Sequence, residues 1–187
     1  MKSIQTTATT LAGVTLLSPP RLPDERGVFR PIYAQRLHAD AGYQHPWAEM
    51  NISHTESNCV RGLHLQQPHS QAKLISVVEG TIFDVVVDLR SDSSSFGTWE
   101  SFTLSADDIE YPSQIYIPQG FAHGLATPEG PATIAYLVSE PWHPENEHVL
   151  LWNDPALSIP WPVTDPQLSA RDQSGTPLDA LKTLLSC

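Results

Sequence analysis

His64 and Lys73 lie on one stretch, residues 59–80, CVRGLHLQQPHSQAKLISVVEG. They supply the two groups that a carbon acid needs. An imidazole titrates near neutrality, so His64 can take a proton and return it. An ammonium group such as that of Lys73 stabilises the oxyanion formed when a proton leaves a carbon beside a carbonyl. The stretch reads as a hairpin-like segment with base and cation at opposite ends, converging on one pocket. A second glycine-flanked histidine, His123, lies in Pro118-Gln119-Gly120-Phe121-Ala122-His123-Gly124. Each histidine is expected at a strand–turn junction, with its side chain presented into the mouth of a sandwich. A base also needs a carboxylate to fix its tautomer. Asp172 is a candidate, although spacing does not select it. Tyr136 places a phenol within the apolar run Ile134-Ala135-Tyr136-Leu137-Val138. It is either a core tyrosine with a satisfied hydroxyl or an acid able to protonate the face opposite the base.

A metal centre is the competing chemistry. Cupin jelly rolls hold metals through His-x-His and a carboxylate, but Gln66 stands two positions after His64 and Gln71 where a carboxylate would help. Neutral amides are weak ligands beside imidazole and carboxylate, and Lys73 in the same pocket would repel a cation. The sequence therefore disfavours a metal site. His38, His45, His54, His69, His143 and His148 lack comparable surroundings and read as surface or structural.

The elements that must carry these groups are short. Among 187 residues, 17 are Pro, 10 are Gly and only 17% are charged, a punctuation that suits many strands joined by turns better than long helices. Residues 1–20 read as an opening strand and turn, and residues 24–29 as a turn and short strand. Residues 36–46 read as a loop or short helix. Strands are expected over residues 47–54, 74–78, 81–89, 99–104, 114–117 and 133–138, with a last one over 149–152. In residues 81–89, Phe83, Val85, Val87 and Leu89 alternate with Asp84 and Asp88, although Val86 interrupts the polar face. Leu178, Leu181 and Leu185 are spaced for a short C-terminal helix. The pattern gives one all-β sandwich or jelly roll over residues 1–187.

Composition narrows the function classes. The net charge of −11 disfavours nucleic acid and anionic membranes as partners. Between Leu74 and Ala170 there are 14 acidic residues and one basic residue, Arg90, whereas Arg26, Arg30, Arg61 and Lys73 lie upstream. These four are either ordinary surface cations or the local positive field that an anionic substrate would need. Cys59 and Cys187 are too few and too badly placed for a disulfide framework. The start, Met1-Lys2-Ser3-Ile4, and the interrupted apolar run over residues 11–17 read as a first strand rather than a signal peptide. Nothing approaches a membrane span, and the expected location is the cytoplasm.

Several segments in order carry a family resemblance: Asp24-Glu25-Arg26-Gly27-Val28-Phe29, Asn51-Ile52-Ser53, Val60-Arg61-Gly62-Leu63-His64 and Gln71-Ala72-Lys73-Leu74, followed by residues 83–90 and 95–99. Ile117-Pro118-Gln119-Gly120-Phe121-Ala122-His123-Gly124, Trp152-Asn153-Asp154-Pro155 and Leu168-Ser169-Ala170-Arg171-Asp172 complete the set. Together they resemble the dTDP-4-dehydrorhamnose 3,5-epimerase family over about residues 10–178. The resemblance implies a cupin-like jelly-roll homodimer of two packed antiparallel sheets, without metal or cofactor. It would epimerise C3, C5 or both on a nucleotide-activated 4-keto-6-deoxy sugar. It implies His64 as base, Asp172 as its dyad partner, Tyr136 as acid, Lys73 as enolate stabiliser and His123 as a polar neighbour of sugar and phosphates. It places Arg26 and Arg61 at the diphosphate and Phe29 near the base, with Arg26 and Phe29 reaching over from the partner subunit on an exchanged N-terminal strand. Gln66, Asn51 and Ser53 would line the same cleft.

Three residues depart from the pattern. Pro31 replaces a usual Glu, Glu49 a usual Gln, and Trp142 a second aromatic that is usually Tyr. The first two fall near the nucleotide base and ribose, and Trp142 near C5, which leaves base identity and regiochemistry open. Three other readings use the same residues: a non-catalytic nucleotide-sugar binding protein, a metal-dependent cupin enzyme, and a retuned enzyme acting on another ketone in secondary metabolism.

Overall fold

Short apolar runs punctuated by Gly and Pro fold as thirteen strands among the described residues, 3–185 of a computed structural model. In chain order these are β1 Gln5–Ala8, β2 Thr15–Ser18, β3 Leu22–Asp24, β4 Gly27–Phe29, β5 Glu49–Thr55, β6 Val60–Gln66 and β7 Lys73–Glu79. They continue as β8 Thr81–Asp88, β9 Trp99–Ser105, β10 Gln114–Ile117, β11 Phe121–Ala126, β12 Ala132–Val138 and β13 Glu147–Val149. Helices α1 Gln35–Asp40, α2 Ala170–Gln173 and α3 Leu178–Leu185 are short. Cys187, and the start at Met1-Lys2, lie outside the described residues.

A six-stranded sheet ordered β1-β2-β10-β7-β12-β5 faces a five-stranded sheet ordered β13-β6-β11-β8-β9, and all pairings are antiparallel. This is a jelly roll, as the sequence pattern predicts. Ile75, Val77, Ile115 and Ile134 of one sheet meet Ile82, Val86, Leu104, Phe121 and Leu125 of the other, and this layer closes one end of the sandwich. The outer face of the five-stranded sheet is also apolar. Leu63, Leu65, Val85 and Val87 lie beneath Leu150, Leu157, Ile159 and Leu181, so the C-terminal region is a lid on that face.

That second layer corrects the reading of β8. Asp84 and Asp88 do not form a solvent face; they point between the sheets and are 0% exposed. Asp88 accepts from the Arg90 backbone N–H, from Arg90 Nε at 2.9 Å, and from the hydroxyls of Ser93 and Ser95 at 2.7 Å each. Burial pushes its carboxyl up, but the bonds from Arg90, Ser93 and Ser95 outweigh that and hold it well below the usual range. A depressed carboxyl stabilises the fold above its unfolded value near ~4, and the contribution fades as pH falls towards the folded value. Asp88→Ala is expected to lower unfolding stability by about 3 kcal/mol at neutral pH, because it leaves the arginine and hydroxyl donors without an acceptor. Urea unfolding at pH 7 measures this; a loss below 1 kcal/mol, roughly the worth of one ordinary hydrogen bond, would contradict it.

Other expectations shift in place rather than kind. The last strand covers Glu147–Val149 rather than residues 149–152; Leu150 just beyond it exchanges backbone hydrogen bonds with Leu63 and bridges to Thr176. Segments β6 and β11 are full strands that the residue pattern does not announce, because each is interrupted by the glycine that lets them approach. At Gly62 an added Cβ would sit 2.7 Å from the His123 carbonyl, and at Gly124 one would sit 2.7 Å from the Arg61 carbonyl.

Candidate active site

That glycine contact sets the geometry of the site. The register between β6 and β11 shifts between His123 and Leu125. Arg61 and His64, three residues apart, would face opposite ways on a regular strand; here they line the same cleft. His64 and His123 are directly paired. They lie inside strands and not at strand–turn junctions, which corrects the sequence reading.

The hairpin reading of residues 59–80 is corrected as well. His64 is on β6 of the five-stranded sheet and Lys73 on β7 of the six-stranded sheet. Base and cation converge because two facing sheets present them. The cleft between these sheets has a volume of about 450 Å³. From the six-stranded sheet come Glu49, Asn51 and Ser53 at every second residue of β5, Lys73 of β7 and Tyr136 of β12. Arg61, His64, His123 and Glu147 come from the other sheet, and Trp142 and Arg171 stand at the rim.

His64 Nε2 lies 2.7 Å from Asp172 Oδ1, so an ionised Asp172 holds the neutral ring's proton on Nε2 and makes Nδ1 the nitrogen with a free lone pair. Asp172 sits in the first turn of α2, where its N–H is capped by the Ser169 hydroxyl at 3.1 Å. Burial pushes its carboxyl up, but the bonds from His64, Ser169 and the Gly62 N–H prevail and keep it ionised. Spacing could not select this carboxylate; the fold of residues 150–172 over the sheet does.

Facing that dyad, burial lowers the Lys73 ammonium to about 8, and the negative charges of Glu147 and Asp84 resist the fall. Burial pushes the Tyr136 phenol up, with Glu147 and Glu49 adding to the rise and Arg61 opposing it. It therefore stays protonated at neutral pH. Neither the Tyr136 hydroxyl nor the Lys73 ammonium hydrogen-bonds another described residue. The satisfied core tyrosine is thus not what the structure shows.

Two residues of the cleft, Glu147 and Arg171, were missed in the sequence. Glu147 Oε2 accepts from Trp142 Nε1 at 2.7 Å and from the Arg171 guanidinium at 2.6 Å. Burial raises the Glu147 carboxyl, and the bonds from Trp142 and Arg171 with the His64 charge bring it below its ordinary value. Arg171 directly precedes Asp172, so the helix that supplies the dyad also supplies a rim cation. Glu49 Oε1 accepts the Trp142 backbone N–H at 3.1 Å, so Trp142 is tied by its backbone to one wall and by its indole to the other.

One expected residue lies elsewhere, and two stand apart on a hairpin. Gln66 does not line the cleft: it is 2% exposed, its amide donates to His69 and Pro141 carbonyls, and its oxygen accepts the His143 N–H. Sitting one alternation beyond His64, it pins the loop that carries Trp142. Arg26 and Phe29 stand away from the cleft of their own chain on the β3–β4 hairpin, which among the described residues forms a separate two-stranded sheet. Phe29 is 68% exposed, and Arg26 is bound to Asp24 at 2.7 Å. Strand β1 pairs with β2 of its own chain. Among the described residues no three of His, Cys, Asp and Glu gather as a metal-holding group.

The family described as dTDP-4-dehydrorhamnose 3,5-epimerase matches residues 8–180. The chain is 38% identical over 174 residues to the dTDP-4-dehydrorhamnose 3,5-epimerase of Pseudomonas aeruginosa, covering 92% of this chain and 94% of that one. It is 40% identical over 168 residues to the Neisseria gonorrhoeae enzyme of the same name, covering 89% of this chain but only 50% of that protein's length. Among solved structures, dTDP-6-deoxy-D-glucose-3,5-epimerase from Legionella pneumophila in complex with dTDP-4-keto-L-rhamnose superposes with a TM-score of 0.89 at 34% identity, covering 97% of this chain and 96% of that one.

Proposed function

The chain belongs to the dTDP-4-dehydrorhamnose 3,5-epimerase family, and we propose that its cleft inverts C3, C5 or both on a dTDP-linked 4-keto-6-deoxy sugar. It is an isomerase of deoxysugar biosynthesis. The observation that carries the mechanism is the opposition of His64–Asp172 on one wall to Lys73 and Tyr136 on the other.

The C4 ketone acidifies the hydrogens on C3 and C5. His64 Nδ1 takes one of them while Nε2 keeps its bond to Asp172, so the imidazolium is steadied as it forms. The electron pair moves into the ring and the negative charge settles on O4, where the Lys73 ammonium meets it, with His123 beside it. Tyr136 returns a proton to the other face of the same carbon, which inverts the centre. The tyrosinate regains its proton from solvent and His64 releases the one it took. The substrate's own ketone supplies the activation.

Arg61 and Arg171 stand at the rim where a diphosphate would lie, with Asn51, Ser53 and Glu49 along the opposite wall. We assign the same substrate role to Arg26 and Phe29 of a second subunit, in a homodimer. The exposed hairpin and the outward row of Met50 and Ile52, 60% and 72% exposed on edge strand β5, support that assembly. Residues 1–187 act as one domain in this reading, with neither nucleic acid nor membrane as partner, in the cytoplasm. No helix among the described residues is long and apolar enough to cross a membrane.

Incubation with dTDP-4-keto-6-deoxyglucose in D₂O should place deuterium at C3, C5 or both, read by NMR. The choice of carbon reports what the Trp142 replacement does. Absence of exchange at either carbon, with dTDP and with other nucleotide forms, would end the enzymatic reading.

A further inference from the structure

Beneath the cleft lies a second histidine–carboxylate pair that the mechanism does not use as a base. His123 Nε2 meets Asp84 Oδ2 at 2.7 Å, the same separation as His64 to Asp172. The two carboxylates differ in what else they hold. Asp172 receives the Ser169 hydroxyl and the Gly62 N–H besides His64. Asp84 is 0% exposed, shares its strand face with core residues Ile82 and Val86, and its Oδ1 has no hydrogen-bond partner. A buried carboxylate with a bare oxygen is tolerated only where positive charge stands close. The nearby cation is Lys73 of the facing sheet, whose charge couples to Asp84.

We propose that Asp84 is a positioning residue for the epimerisation: it fixes the His123 ring with Nδ1 towards the sugar, and it is the buried counter-charge against which the Lys73 ammonium stands. The inference rests on the reading of the cleft given above. It explains why an acidic residue sits in the apolar layer of β8, where a valine would pack without penalty.

The charges around Lys73 define the consequence. Glu147 from β13 and Asp84 from β8 hold its proton on against burial, at about 8. Tyr136 and Glu49 face it from its own sheet; Arg61, His64 and His123 face it across the cleft, with Arg171 at the rim. Asp84→Asn keeps the size and an acceptor for His123 but removes the charge. The Lys73 ammonium then loses its proton at lower pH, and the alkaline limit of turnover moves with it.

The chain has three lysines, Lys2, Lys73 and Lys182, so a titration of ε-¹³C-lysine protein followed by NMR resolves Lys73, assigned by its loss in Lys73→Met. In Asp84→Asn the Lys73 midpoint should fall by about one pH unit, and kcat at pH 8 by roughly fivefold with KM little changed. A Lys73 midpoint unmoved in folded Asp84→Asn protein overturns the proposal. In case that variant does not fold, ¹⁵N-histidine spectra of the unaltered protein provide a second reading: His123 carrying its proton on Nε2 supports the assignment, and an unprotonated Nε2 overturns it. The two NMR readings need no turnover, so they fail or succeed separately from the epimerase reading.

Discussion

Replacing His64 by alanine is expected to remove deuterium exchange at C3 and C5 together and to lower kcat by roughly 10³–10⁴-fold, the contribution of a positioned general base with its orienting partner. The expectation follows from what remains after the change. Lys73 still stabilises an oxyanion and Tyr136 still carries a proton, but no unprotonated nitrogen faces the acidic hydrogens. Asp172 cannot substitute, since it is 4% exposed beneath the ring and receives the Gly62 N–H and Ser169 hydroxyl. The loss should appear in kcat rather than KM, because in the proposed mechanism the imidazole acts on the reacting hydrogen and the nucleotide is left to the rim arginines. Single-turnover NMR in D₂O measures it directly. Retention of more than a tenth of wild-type exchange would show that another group removes the proton.

The architecture was legible because β-structure writes itself in alternation and punctuation. Strands such as β5, with Glu49, Asn51 and Ser53 turned one way and Met50, Ile52 and His54 the other, show their two faces in the residue pattern. The pattern deceives where a strand is buried on both sides. In β8 the acidic residues look like a solvent face, yet outward Phe83, Val85 and Val87 are covered by the C-terminal region and Asp84 and Asp88 point inwards. Polarity alone does not tell an interior of functional charges from water. The glycine pair Gly62 and Gly124 deceives differently: an interrupted run reads as a turn, whereas here each glycine clears room for the neighbouring backbone.

Site chemistry was readable by residue type, but its geometry was not. His64, Lys73, His123, Tyr136 and Arg61 declare their chemistry in the sequence; that they come from two opposed sheets is a property of long-range pairing. Glu147 and Arg171 carried a fainter signal. A carboxylate two residues before Val149 looks like one more of an acidic stretch, and only its bonds to Trp142 and Arg171 single it out. Gln66 was misplaced for the converse reason, since alternation puts it on the His64 face while the cleft ends before it.

Tyr136→Phe separates proton removal from inversion more sharply than any other change in this cleft. The substitution deletes only a hydroxyl that makes no hydrogen bond to a described residue, so stability should stay within about 0.5 kcal/mol of the parent. Base, counter-ion and lysine are untouched. His64 can still strip the hydrogen, exchange it with solvent through its 32% exposed side chain, and return deuterium to the face from which it came. The variant should therefore wash label into the sugar with retained configuration, at a rate within about tenfold of the parent. Inversion, which needs a donor on the wall of β12, should fall by roughly 10²–10³-fold. The contrast is insensitive to pH across the working range, since burial and the neighbouring Glu147 and Glu49 keep the parent phenol protonated there. Equal losses of exchange and inversion would assign Tyr136 to binding instead. Undiminished inversion would place the acid elsewhere, with Lys73 then the nearest ammonium able to deliver a proton from the same wall.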